Sequence, residues 1–243
     1  MTKGFVRALP VAVVLAFLNA CGGGGSAHSA TATSVDSTSS AETITTGSSE
    51  GDQDAAERLA QATNLTIDDL PDGWTSTPPL FDDDGRIFGT CGHLDLDRTT
   101  VARAVSDNFR RATNDAGSLN LATTTGVLAS VRATQSIADA FATSDFADCV
   151  GDQIIDATGA PGMTGRLGPV PAANLPDVAD QVAALSGRFT LRTSDKESTF
   201  HLTLVVVRTG KVLTTVSSMA IDTEPDGAIL QDVVNLVADR QAG

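Results

Sequence analysis

Three successive strand patterns near the C-terminus constrain the fold of this chain more than any other feature. The segments read SGRFTLRT, STFHLTLVVVRT and KVLTTVSSMAI, with few residues between them. Arg208–Lys211 separates the last two, and so short a connection containing glycine indicates a hairpin. In the middle segment, His201 and Thr203 point to the opposite face from Phe200, because side chains alternate along a strand. These patterns predict adjacent antiparallel strands.

Helical patterns surround these strands. Apolar residues recur at helical spacing over Ser136–Ile155 and again from about Pro225 to Gln241, and a short helix is expected at Asp54–Asn64. Strands grouped with strands are typical of α+β domains rather than of parallel sheets. The predicted fold is therefore α+β, with two layers. Helices would pack mainly on one face of an antiparallel sheet, and the other face would carry Thr, Ser, Arg and His.

Two segments before these elements are harder to interpret. Val101–Arg111 fits a helix, because Val101, Val105 and Phe109 are four residues apart, and it fits an alternating strand equally well. We favour a strand that forms a hairpin with Asn120–Ala133. The segment PLFDDDGRIFGTCGHLD is expected to be a loop, with a short extended piece near Arg86–Thr90.

Residues 1–20 have the organisation of a secretory signal peptide. Lys3 and Arg7 precede the apolar run Ala8–Leu18, which is shorter than the about 20 apolar residues that span a bilayer. The following tetrapeptide LNAC resembles a bacterial lipobox, although its asparagine is atypical. The resemblance implies a diacylglyceryl group on Cys21 that anchors the protein at the outer side of the cell membrane. Ordinary cleavage nearby and a retained membrane anchor are the alternatives.

A polar tether and one globular domain follow the cysteine. Residues 21–51 are mostly Gly, Ser, Thr and Ala without apolar periodicity, which predicts a disordered tether. About 30 such residues have a root-mean-square reach of about 30 Å. Residues 52–243 are long enough for a single α+β domain with its own core.

The other two cysteines form an even pair once Cys21 is assigned to lipid. An exported domain meets oxidising conditions, so Cys91 and Cys149 are expected to form a disulfide. A metal site that includes His93 is the alternative, but two thiols and one imidazole fall short of a structural zinc site. We predict no metal and no cofactor.

The charge of the chain limits its partners. The formal net charge is −14 at pH 7, which argues against binding to nucleic acid and against direct adhesion to anionic lipid. The expected partners are the bilayer, through Cys21, and an unidentified envelope ligand or protein. The domain is expected to be a monomer.

Candidate binding residues lie on the predicted polar sheet face. Arg188 and Arg192 share one face of their strand, and His201 and Thr203 share one face of the next. If these faces coincide, they form a mildly basic surface on an acidic protein; an ordinary solvated sheet face is the alternative. Trp74, the only tryptophan, is interpreted as a core anchor or as the wall of a pocket. No catalytic residues are predicted, so the chain is not expected to be an enzyme.

Several segments together resemble a known group of proteins. LTIDDLPDGW, NLATTTGVLASVRATQSIADAF, FADCV and KVLTTVSSMA follow a lipobox and a Ser/Thr-rich tether. The chain resembles uncharacterised actinobacterial envelope lipoproteins, and through them the extracellular sensor domain of actinobacterial serine/threonine kinases. The resemblance implies a two-layer α+β domain with a groove for an envelope ligand. The chain differs from those sensor domains in offering one disulfide rather than two. PsbP-like lipoproteins, which share a P-x-G-W motif, are a second resemblance.

These observations predict a sensor-like binding module without catalytic activity. Its ligand would be a small molecule or a component of the cell envelope. A structural or adaptor lipoprotein that contacts other envelope proteins is the alternative, and a hydrolase with a scattered active site is a third.

Overall fold

The computed structural model describes residues 50–79, 84–93, 95–113, 117–194 and 196–243. Its α-helices are α1 Glu50–Thr63, α2 Asp84–Gly92, α3 Leu96–Thr99, α4 Val131–Ala140, α5 Ser144–Thr158 and α6 Gly227–Ala242. Its strands are β1 Thr75–Thr77, β2 Thr100–Val105, β3 Asn108–Ala112, β4 Ser118–Leu128, β5 Met163–Pro169, β6 Gln181–Arg192, β7 Glu197–Thr209 and β8 Val212–Ile221.

Within the described residues, eight strands form one antiparallel sheet. The strand order is β1-β3-β4-β8-β7-β6-β5, and β2 pairs with β4 as well. The three predicted strands near the C-terminus are confirmed as β6, β7 and β8, paired in sequence order. The hairpin between the last two turns at Gly210, whose φ of 55° lies in the left-handed region that glycine adopts at little cost.

Helices cover both faces of this sheet. One face, which we call the disulfide face, packs against α2, α4 and α5. The opposite face, which we call the α6 face, packs against α1 and α6. Strand β7 serves both cores, because Leu204 and Val206 are buried on the disulfide face and Val205 and Val207 on the α6 face.

The predicted α+β class, the antiparallel sheet and the disulfide are confirmed. The layer arrangement differs from the prediction, because helices pack on both faces and the domain has three layers instead of two. The physical reason lies in β7, where four consecutive residues from Leu204 to Val207 are apolar and buried. A strand that is apolar on both sides needs cover on both sides.

The disulfide ties two helices of the disulfide face together. Cys91 in α2 is bonded to Cys149 in α5, with a Cα–Cα distance of 5.6 Å and 58 residues between them in sequence. The expectation of a loop with an extended piece near Arg86–Thr90 is wrong, because that segment is helical. Helix α2 buries Phe88 three residues before Cys91, so both lie on the side that meets the core.

Side-chain caps divide the long predicted helix into two. The Ser130 hydroxyl accepts a hydrogen bond from the Ala133 N–H at 3.2 Å, and it starts α4 where the sequence suggested the end of a strand. The Thr143 hydroxyl accepts one from the Phe146 N–H at 3.3 Å and starts α5. Such caps satisfy N–H groups that the first turn of a helix leaves free.

The alternatives for Val101–Arg111 are decided in favour of strands. The segment forms most of β2 and β3, with a short break at Ser106 and Asp107. Both strands pair with β4, as the predicted hairpin requires. None of the described helices is both long and apolar enough to cross a membrane.

A buried polar cluster joins α1 to the α6 face of the sheet. The Asn64 side-chain oxygen accepts hydrogen bonds from the hydroxyls of Thr123, at 3.2 Å, and Thr125, at 2.8 Å. The Thr125 and Thr214 hydroxyls are 3.0 Å apart, and Gln241 of α6 donates to Thr214 at 2.9 Å. The cluster therefore connects the start of the domain to its last helix through two neighbouring strands.

Candidate ligand-binding surface

Part of the α6 face carries polar side chains at the edge of the sheet formed by β5, β6 and β7. We call it the polar sheet surface, and it consists of Arg166, Ser186, Arg188, Thr199, His201 and Thr203. Strand pairing places these residues in rows that run across the strands. In the central row, Arg166 is opposite Arg188, and Arg188 is opposite His201.

The boundary of this surface follows from the alternation along β7. Val205 and Val207 point to the α6 face and are buried in the core beneath α6. Two and four positions earlier, Thr203 and His201 point the same way but remain half-buried. The polar sheet surface is thus the part of the α6 face that lies beyond the apolar core of α6.

Two arginines of the surface face each other without a carboxylate between them. Arg166 and Arg188 are exposed and occupy opposed positions, where Cβ atoms are about 4.5–5.5 Å apart. Among the described residues, neither forms an ion pair, and Arg188 makes only a long hydrogen bond of 3.4 Å to the Thr199 hydroxyl. Like charges opposed in this way destabilise a sheet.

The cations at the end of the same strands are neutralised. Arg192 is 2.6 Å from the Glu197 carboxylate, and Lys196 is 2.8 Å from that of Asp222. Burial raises the pKa of the Asp222 carboxyl, but hydrogen bonds from Lys196 and from the Thr199 N–H outweigh it, so the pKa lies below its usual value. The unpaired positive charge of this region is therefore concentrated at the two opposed arginines.

Hydroxyl groups and an imidazole complete the surface. The Ser186 and Thr203 hydroxyls are 3.1 Å apart and form the row next to the arginines, on the side of α6. The His201 side chain makes no hydrogen bond to any described residue. These groups add donors and acceptors that a bound molecule can use.

The structure brings together most of the residues that the sequence singled out. Arg188, His201 and Thr203 lie on one face at neighbouring positions, and Arg192 lies on that face beside Glu197. Sequence reasoning missed Arg166, because the glycine- and proline-rich GAPGMTGRLGPVP indicates a short strand and turns without indicating which strand it pairs with. The sequence shows only a single arginine in a glycine-rich segment. The pairing of this segment with β6 is what places Arg166 opposite Arg188.

Trp74 lies at the other end of the sheet, where it precedes β1. Only 7% of its surface is exposed, and it belongs to the core beneath α6. The Arg111 guanidinium stacks on its ring, 5.0 Å from the centroid, and forms an ion pair of 2.6 Å with Asp226. Trp74 is therefore a buried residue of the core beneath α6, and it lies apart from the polar sheet surface.

A cleft lies beside α4. Asp95, Thr99, Ser130 and Arg132 contribute to a shallow, open cleft of about 250 Å³. Among the described residues, no group of three or more His, Cys, Asp or Glu side chains could hold a metal ion. The cleft lacks the row of opposed cations that distinguishes the polar sheet surface.

No protein-family model matches the sequence, and no curated protein is similar to it. Two solved structures are similar in part. The extracellular domain of PknH from Mycobacterium tuberculosis has a TM-score of 0.37 and 9% identity, over 77% of this chain and 97% of that one. LpqN, involved in cell envelope biogenesis of Mycobacterium tuberculosis, has a TM-score of 0.26 and 13% identity, over 70% and 78%. Both TM-scores and both identities are low, so neither structure assigns a family or an activity to this chain.

Proposed function

We propose that this chain is a lipid-anchored, non-catalytic binding module at the outer side of the cell membrane. Its anchor is the diacylglyceryl group on Cys21, and its ligand comes from the cell envelope. The lipobox-like LNAC sequence and the signal peptide before it support the anchor. The Cys91–Cys149 disulfide supports the location, because such bonds persist in oxidising compartments outside the cytoplasm.

The polar sheet surface is the observation that carries the binding role. A sheet whose two faces otherwise pack against helices presents, on β5 to β7, a row of cations and hydroxyls instead. The chain as a whole has a net charge of −14, so a local excess of positive charge is a specific feature of this surface.

The surroundings of His201 support a role without catalysis. Its neighbours across the strands are Arg188 and Ala220, and no described side chain forms a hydrogen bond with it. A nucleophile and its base need to lie within hydrogen-bond reach of each other. An adaptor role would need a contiguous apolar patch. The exposed large apolar residues of the described part lie in separate segments of the chain: Leu59, Ile67, Val131 and Val178.

A steric block at the polar sheet surface tests the proposed function. Ser186 is exposed in the row next to the arginines, so Ser186→Trp places a bulky side chain on the surface without changing its charge. Ser136→Trp, on exposed α4 of the other face, is the matched control. The full-length proteins would be expressed in the source organism and tested for co-sedimentation with its insoluble cell-wall material. We expect Ser186→Trp to lose binding and Ser136→Trp to keep it.

Two results would contradict this function. Equal sedimentation of both variants would show that the polar sheet surface is not the binding site. Loss of radiolabelled palmitate incorporation should accompany Cys21→Ser, and equal labelling of this variant and the natural sequence would remove the proposed anchor.

A further inference from the structure

The pairing of Arg166 with Arg188 is unfavourable for folding, which makes it informative about a ligand. The two guanidinium groups repel each other across β5 and β6, and no described carboxylate relieves the repulsion. The chain contains 30 Asp and Glu residues, and carboxylates neutralise the nearby Arg192 and Lys196. An anion bound between the two arginines would turn their repulsion into attraction.

The number of donors indicates which anion fits. Each guanidinium presents a planar fork of N–H groups, which pairs with two oxygens of an acceptor. A carboxylate has two oxygens and one charge, so it satisfies one fork. A terminal or monoester phosphate has three non-bridging oxygens and up to two charges, so Arg166 and Arg188 can bind it together. Successive phosphates within a chain offer each of the two arginines its own pair of oxygens.

The rest of the surface indicates what carries the phosphate. The hydroxyls of Ser186 and Thr203 and the imidazole of His201 continue from the arginines across three strands. They suit a molecule with hydroxyl or ether oxygens beside its charge. Strand β5 is an edge strand, so no further strand closes the surface there. A long chain can therefore lie across β7 and β6 and continue past β5.

We propose that the polar sheet surface binds phosphate groups of an extended phosphorylated polymer of the cell envelope. The proposal rests on the function proposed above, since it names the ligand class of the same surface. The surface continues across three strands and is open at the edge strand β5, which suits a phosphate carried by an extended chain, so the phosphate belongs to a polymer and not to a lipid headgroup. Arg166 and Arg188 hold the phosphate, and the hydroxyl row contacts the adjoining unit.

Calorimetric titration of the full-length protein in non-ionic detergent tests this proposal. The probe is linear polyphosphate, and polyglutamate of matched charge is the comparison. We expect polyphosphate to bind more tightly than polyglutamate, with an affinity that falls as sodium chloride increases. Arg166→Gln and Arg188→Gln should each weaken polyphosphate binding by about tenfold, the loss typical of one charge-assisted hydrogen bond. Arg132→Gln, an exposed arginine of α4, should leave it unchanged.

The following results would contradict the proposal, and they distinguish a wrong ligand class from a wrong function. Unchanged polyphosphate binding in the double variant Arg166→Gln with Arg188→Gln would overturn the proposal, as would equal affinity for polyglutamate. Tighter binding to vesicles of anionic phospholipid would assign the phosphate to lipid and overturn it as well. If Ser186→Trp abolishes cell-wall binding while the double variant retains it, the function stands and the phosphate ligand is refuted. If neither variant affects cell-wall binding, both proposals fail.

Discussion

Removing the disulfide gives the most direct test of how this domain is stabilised. The bond closes a loop across 58 residues, from α2 to α5. In the chain-entropy treatment, such a loop restricts the unfolded chain by about 4 kcal/mol at 25 °C. Cys91 and Cys149 are only half-buried, so Cys91→Ser with Cys149→Ser adds little loss of packing to that figure. We therefore expect the free energy of unfolding to fall by about 4 kcal/mol.

Urea titration followed by fluorescence measures this change. Trp74 is the only tryptophan and is buried beneath α6, so its emission reports on the core of the opposite face. With an m value of about 2–3 kcal/mol/M, the midpoint should move down by roughly 1.5–2 M. The comparison uses Cys21→Ser in every sample, so that no third thiol can exchange with the pair.

A chemical control separates the bond from the substitutions. The Cys21→Ser protein treated with dithiothreitol should unfold at the same midpoint as the double serine variant. If both samples lose less than about 1 kcal/mol, the loop-closure reasoning is refuted for this domain. If only the serine variant is destabilised, the loss comes from packing at α2 and α5 and not from the disulfide.

Three further predictions concern the α6 face and β5. Asn64→Ala removes the acceptor of two buried threonine hydroxyls and should lower the free energy of unfolding by about 2 kcal/mol; an unchanged urea midpoint would contradict this. Burial raises the pKa of the Asp69 carboxyl, but hydrogen bonds from Arg240 and Thr66 outweigh it, so the pKa is lowered in the folded state. Asp69 therefore stabilises the fold above its unfolded value of 3.8, and this contribution is lost as the pH falls below it. Urea midpoints between pH 6 and 3 should fall less steeply in Asp69→Asn, and equal slopes would refute the assignment. Gly187→Ala places a Cβ against the Arg166 carbonyl oxygen, closer than a real Cβ approaches, and should lower the free energy of unfolding by at least about 2 kcal/mol. Gly168→Ala has open space at its Cβ position and should be neutral by thermal denaturation.

The strands near the C-terminus were predictable because three segments with strand patterns follow one another with few residues between them. Apolar and polar residues alternate over Phe200–Leu204, and a glycine turn joins β7 to β8. The sequence of β7 also indicates that helices pack on both faces of the sheet, because Leu204–Val207 is apolar at every position. Predicting helices on both faces requires the interpretation that this strand is buried on both sides, and not on one side only.

Other parts of the fold depend on contacts that no local pattern contains. Gly162, just before β5, and Gly165, within it, have positive φ values and approach β6 closely, so this part of the sequence has the composition of a turn. The opposition of Arg166 and Arg188 follows from that pairing alone. The alternation within each strand placed Arg188 on one face of β6, and His201 and Thr203 on one face of β7. That these two faces coincide follows from the register between the strands.

The first described helix, α1, packs at the side of the sheet opposite Arg166 and Arg188. Helix α1 packs on β2 and β4, whereas β5 is the edge strand at the other side of the sheet. Strand β5 is five strand spacings, or about 24 Å, from β2. With the proposed anchor at Cys21 and the predicted tether, whose expected reach is about 30 Å, the arginines would stand up to roughly 50 Å above the bilayer. The domain would then act as a spacer as well as a receptor, sampling a shell of the envelope that a domain seated on the membrane does not touch.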